Sequence, residues 1–123
     1  MATRDDDQAP FQQFNGAIPA RIGVVQYERG GTWVIVAHGP YDLDSIGPLA
    51  QALETAAAKH PRVVVDASGV SFADSTFLNL LLATHQLTDL RLAAPTPQLR
   101  RILEITAADS LLDVRPTVED ALT

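Results

Sequence analysis

Apolar residues along this chain change their spacing several times, and each change predicts an element. Residues Ile22 to Tyr27 and Thr32 to Ala37 are rich in β-forming side chains and flank Glu28-Arg29-Gly30-Gly31, the composition of two antiparallel strands joined by a turn. Gly39-Pro40 ends the second of them. Ile46, Leu49, Ala50, Leu53, Ala56 and Ala57 then recur three and four positions apart, which places them on one face of a helix. Pro48 fits in the first turn of that helix, with Asp44 or Ser45 near its cap. Val63-Val64-Val65 follows, wholly apolar and β-branched, as a buried parallel strand should be. The unit is β-α-β.

Asp74 predicts the cap of a second helix from Ser75 to Gln86, and a short link leads to a strand over Leu90 to Ala93. Thr96-Pro97, a hydroxyl cap followed by a proline at the first helical position, starts a third helix that runs through Ile105. Leu99, Ile102, Leu103 and Ile105 supply its buried face. Leu111 to Arg115 has the pattern of an edge strand, and Thr117-Val118-Glu119-Asp120 that of a capping box opening a terminal helical turn. The predicted fold class is α/β: one domain over residues 21–123, with a mostly parallel mixed sheet of four to five strands, an N-terminal antiparallel hairpin and about four helices. Residues 1–20 carry three aspartates, three glutamines and two prolines without apolar periodicity, and are expected to form a disordered acidic tail.

Charge narrows the choice of partner. The net charge is -6, and Arg4, Arg21, Arg29, Lys59, Arg62, Arg91, Arg100, Arg101 and Arg115 are scattered, so no basic stripe is available to neutralise phosphates and direct nucleic-acid binding is not expected. The longest nearly apolar run, Phe77 to Ala83, falls far short of the roughly 20 residues that cross a bilayer, and no membrane insertion is expected. Asp5, Asp6 and Asp7 stand where a signal peptide would be positive. Cysteine is absent, which fits a reducing compartment, and a cytoplasmic protein is expected.

Candidates for chemistry are few. His38 at a strand end and His60 and His85 at helix ends are each accounted for by local structure, show no metal-ligand spacing and suggest no triad. Gly30-Gly31 is not followed by a helix, and neither phosphate-binding glycine pattern occurs. No catalytic residue, metal or cofactor is therefore assigned, and the expected activity is binding.

The segment Val63 to Leu82 stands apart, because it runs from strand through loop and helix cap into helix. Turn hydrogen bonds from Asp66 and Ser68, a cap from Asp74 and a polar first turn at Ser75 and Thr76 would account for its polar residues without any function. Phe77, Leu78, Leu80, Leu81, Leu82 and Ala83 occupy more of the helix than one sheet-facing stripe requires. The surplus implies either a helix buried on two sides or an exposed apolar edge suited to a protein interface.

Gly39-Pro40-Tyr41-Asp42, Asp66-Ala67-Ser68-Gly69-Val70 with Phe72-x-Asp74-Ser75-Thr76, Pro95-Thr96-Pro97 with Arg101-Ile102-Leu103, and Pro116 to Leu122 resemble, in order, the motifs of the STAS domain family. Within it the chain is similar to the bacterial anti-sigma-factor antagonists, over about residues 20–123. The resemblance implies phosphorylation of the serine after the capping aspartate, here Ser75, by an anti-sigma factor that is itself a serine kinase. It implies that the unmodified form sequesters that kinase and so regulates transcription, and that a metal-dependent serine phosphatase restores it. Asp42 maps onto the family's acidic residue near the phosphorylation site, and Asp74 onto the cap.

Two departures accompany the resemblance. Phe77 stands where antagonists usually carry glycine, and a bulky ring there is able to block a kinase or to mark a different partner. Thr76 is the alternative acceptor. The short link between His85 and Leu90 should alter the adjoining surface. The expected contact surface is Asp42, Asp74, Ser75, Thr76 and Phe77. The rival reading is a constitutive docking or scaffold subunit of a membrane lipid-transport or other multiprotein complex, with Ser75 only a residue beside a cap.

Overall fold

A computed structural model of the protein describes residues 24–123. The tail expected over residues 1–20, and Ile22 at the start of the first expected strand, lie outside the described residues. Five strands line up in chain order: β1 Val25–Arg29, β2 Thr32–Tyr41, β3 Arg62–Ala73, β4 Asp89–Ala93 and β5 Asp113–Arg115. β1 and β2 are antiparallel, and every later pairing is parallel. The connections are α1 Gly47–Lys59, α2 Ser75–His85 and α3 Pro97–Ile105, the last followed by a short 3-10 turn at Ala108–Ser110 and β5, and the chain closes with α4 Val118–Ala121. The expected fold class stands.

Side chains alternate across the sheet. Ile35, Ala37, Val63, Val65, Leu90 and Leu92 face the large core, where Leu49, Leu53, Phe77, Leu81, Leu99 and Leu103 of α1, α2 and α3 meet them. Val34, Val64 and Ala93 face the other way, under Ala121 of α4. Leu80 and Leu82 pack against the edge of the large core and are partly buried, while Ala83 is exposed, so the apolar surplus of α2 is divided between core and surface.

Several boundaries correct the expectations. Glu28 and Arg29 belong to β1, and Gly30-Gly31 alone makes the turn, with φ of 60° and 82°, the left-handed pair that a two-residue hairpin requires. β2 does not stop at Ala37 or Gly39-Pro40. It continues to Tyr41 because register shifts after Val36 and after Gly39 absorb the irregular residues, the proline among them. β3 likewise runs on through the stretch expected as loop, with the Asp66 carboxylate accepting from the Ser68 N–H at 3.1 Å and the Ser68 hydroxyl at 2.8 Å. Ser45 stands next to the cap of α1, as expected, but the N-cap itself is Ile46, and no side chain accepts a capping bond there. Ile105 is 74% exposed, since two positions after the buried Leu103 the helix has turned its side chain away from the core. The expected caps Asp74, Thr96 and Thr117 accept from the N–H groups of Thr76, Leu99 and Asp120.

Asp113 in the edge strand lies 2.6 Å from Arg115, whose guanidinium holds its carboxyl below the ordinary carboxylate range against the opposing effect of burial. A depressed native pKa gives stability that is complete above the unfolded-state pKa and is lost as pH falls through the native value. Urea unfolding of wild type and Asp113→Asn should therefore differ at neutral pH and converge in acid below the ordinary carboxylate range.

Candidate functional site

The carboxyl ends of two neighbouring parallel strands bring the expected site residues together. Tyr41 and Ala73 are partners at the ends of β2 and β3, and the Asp74 N–H donates to the Tyr41 carbonyl at 3.3 Å. Asp42 follows Tyr41 and Ser75 follows Asp74, so residues 33 positions apart in the chain emerge side by side. Asp74 Oδ1 accepts from the Thr76 N–H at 2.9 Å, which fixes the first turn of α2. Ser75 is exposed, and Asp42, Asp74 and Thr76 are half-buried.

Asp42 is held by a knot of short bonds. Its Oδ1 accepts from the N–H groups of Asp44 and Ser45 and from the Ser45 hydroxyl, all at 3.0 Å. The Asp42 N–H in turn donates to Ser45 Oγ at 2.9 Å. These donors, the Ser45 hydroxyl foremost, keep the Asp42 carboxyl below the ordinary range, so it is charged at neutral pH. Ser45 was read from the sequence only as a residue near the cap of α1, although its three-residue spacing from an aspartate is the signal of such a turn.

Phe77 needs correction. It is fully buried, and its ring stacks on Tyr41 with centroids 5.4 Å apart. Helical phase explains this, because two positions after the exposed Ser75 the side chain has rotated towards the sheet. The ring is therefore part of the core and is not presented at the expected contact surface beside Ser75. Tyr41 is also buried, and its hydroxyl accepts from the His38 N–H at 2.9 Å; burial pushes its phenol above the ordinary value. Apolar surface in these segments comes instead from Leu43 and Phe72, 75% and 54% exposed. Beside Phe72, a groove of about 250 Å³ between β3 and α3 is lined by Val70, Ala73, Thr96, Leu99 and Ile102.

The histidines do not join the cluster as a triad. His38 lies within β2, rather than at its end, and packs against Gly69, where a Cβ would approach its ring to 2.8 Å. His60 stacks on Trp33 at 4.8 Å, and His85 is the last residue of α2. Among the described residues no group of three or more His, Cys, Asp and Glu side chains is arranged to hold a metal, and no helix is long and apolar enough to cross a membrane.

Residues 25–113 match the family model described as Mlab, STAS domain. Among solved structures, the chain is 30% identical to an anti-sigma factor antagonist from Mycobacterium paratuberculosis, with a TM-score of 0.76 over 86% of this chain and 95% of the other. It shares its fold, at 18% identity, with an anti-sigma-factor antagonist domain protein from Planctomyces limnophilus, with a TM-score of 0.71 over 81% and 95% of the two chains. The unphosphorylated antagonist SpoIIAA is also 18% identical, with a TM-score of 0.66 over 81% and 93%. No curated protein matches the chain. The chain belongs to the STAS domain family, as a domain of the anti-sigma-factor antagonist type. Domains of this type are typically binding modules rather than enzymes.

Proposed function

We propose that this domain is an anti-sigma-factor antagonist: it binds an anti-sigma factor serine kinase through the surface around Ser75, and phosphate on Ser75 turns that binding off. The observation carrying the proposal is the exposed Ser75 hydroxyl one residue after a capping aspartate, joined by the Asp74 to Tyr41 backbone bond to the charged Asp42 loop. Phosphate there adds about -1.5 to -2 charges beside two carboxylates in a surface that a partner must desolvate. Repulsion then opposes binding, while the positive end of α2 tolerates the same charge, so the fold persists. The reading includes a metal-dependent serine phosphatase that resets the site, control of transcription without contact to DNA, a cytoplasmic location and no catalysis by the domain itself.

The second reading, a constitutive docking subunit of a membrane lipid-transport or other multiprotein complex, is favoured by one observation: the matching family model is described as Mlab and not as an antagonist. Intact-mass analysis of protein from its native cells, with co-purification of partners, separates the two. The switch predicts a phosphate that disappears in Ser75→Ala and persists in Thr76→Ala, with an ATP-binding kinase-like partner. Protein without phosphate under growth and stress, retained by transporter subunits, would reject the switch in favour of docking.

A further inference from the structure

On the sheet face opposite the large core, Arg62, Asp89, Arg91, Asp113 and Arg115 form a row of alternating charge across β3, β4 and β5. Strand register builds it, since Arg62 is the partner of Asp89, and Arg91 of Asp113. Successive separations along the row are 3.1, 3.3, 3.6 and 2.6 Å. Each arginine has a further N–H group, and each donates it to a different carbonyl of the C-terminal turn. Arg115 reaches Asp120 at 2.9 Å, Arg91 reaches Ala121 at 3.1 Å and Arg62 reaches Leu122 at 3.3 Å. Three guanidinium groups thus grip three consecutive carbonyls at the negative end of a helix.

α4 has only four residues, too few to keep a helical shape without tertiary support. It covers Val34, Val64 and Ala93, and of its own apolar residues only Ala121 is fully buried; Val118 and Leu122 are partly so. Its polar attachments are wetter, apart from the central one: the Arg91 side chain is 9% exposed and its bond to the Ala121 carbonyl is buried. The side chains of Arg62, Asp89, Asp113 and Arg115 are 31–40% exposed, and the Arg29–Glu119 pair that ties α4 to β1 is 48% and 67% exposed. Contacts of this kind weaken with salt. None of these groups belongs to the large core, which the three longer helices build on the other face.

We infer that residues 117–122 form a clasp that leaves and rejoins the folded sheet as a unit, that ionic strength sets how often it is open, and that opening bares Val34, Val64 and Ala93 as a second apolar surface. The clasp lies on the sheet face that α2 does not cover, and the inference does not depend on the function proposed for Ser75.

The chain has no cysteine, so a single introduced thiol reports a single position. Ala93→Cys puts one beneath the clasp; Ala67→Cys, equally buried but on the helix-covered face, reports opening of the large core. A disulfide reagent should label Ala93→Cys about tenfold or more faster than Ala67→Cys, because a locally opening element exposes its site without global unfolding. Labelling at Ala93→Cys should quicken about threefold or more between roughly 0.05 M and 1 M sodium chloride as the charged attachments are screened. Adding Arg115→Gln should speed it at low salt, with Ala67→Cys unchanged. Amide exchange on the unsubstituted protein gives a second readout: the N–H groups of Ala121 and Leu122, bonded to Thr117 and Val118, should exchange faster with salt, and those of Val64 and Leu92 should not. Equal labelling at both thiols overturns the clasp. Exchange at Ala121 and Leu122 that ignores both salt and Arg115→Gln overturns its ionic control.

Discussion

Phe77→Ala should lower the unfolding free energy by about 3–5 kcal/mol, the range for emptying a large buried aromatic site. The ring is fully buried between α2 and the sheet and stacks on Tyr41, so its removal leaves a cavity against which neither the strand nor the helix can easily close. A domain of this size has only about 5–15 kcal/mol in hand, and the urea midpoint should fall sharply. Phe77→Gly should be worse by about 1 kcal/mol, because glycine also weakens a helix interior. Glycine, usual at this position in the antagonists the chain resembles, is therefore a residue that this core does not accommodate. A change below about 1 kcal/mol in Phe77→Ala would show that the ring is not packed as described.

Under the proposed function, Ser75→Glu should weaken binding to the partner kinase on the order of a hundredfold, while Ser75→Ala stays within a few-fold of wild type; like charges brought together in an interface cost several kcal/mol. The urea midpoint of Ser75→Glu should match wild type, since the substituted side chain stands exposed at the favourable end of α2. Titration calorimetry with the isolated partner measures the first effect and equilibrium unfolding the second. Equal affinity of wild type and Ser75→Glu would remove Ser75 from the contact surface, and a lowered midpoint would move the effect from surface to fold.

How far the sequence carried the argument depends on the range of the interactions that fix each feature. The caps at Asp74, Thr96 and Thr117 are local chemistry, complete within three residues, and they were legible. So was β3 from Val63-Val64-Val65, because a wholly apolar β-branched run has few other uses. The continuation of β3 to Ala73 was not. Asp66-Ala67-Ser68-Gly69 has the composition of a turn, and what keeps it extended is pairing with a strand about thirty residues earlier, where Val36 opposes Asp66 and His38 opposes Gly69. Gly69 serves close approach rather than turning, since a Cβ there would come within 2.8 Å of the His38 ring as it is placed.

The candidate site divides in the same way. Asp42, Asp74 and Ser75 were readable as a set from their motifs, and the fold places them at adjoining strand ends. Phe77 was placed on the wrong side because helical spacing gives relative directions only; which face meets the sheet is decided by packing. Ile105 failed because it is two positions, rather than three or four, from Leu103 and so turns away from the buried face. The Asp42 knot hid Ser45 because its expected place near the cap of α1 masked the turn that it makes with Asp42.

The bond from Asp74 to the Tyr41 carbonyl has a consequence for the speed of recognition. It is a last rung joining two strands, and the acidic loop and the serine-bearing helix therefore share one rigid mount. A partner that binds this surface should meet the Asp42 loop and the start of α2 already tied together, with less backbone freedom to freeze on binding. Association should then be limited by orientation and long-range charge, with a rate that follows ionic strength and is indifferent to slow motions of the domain.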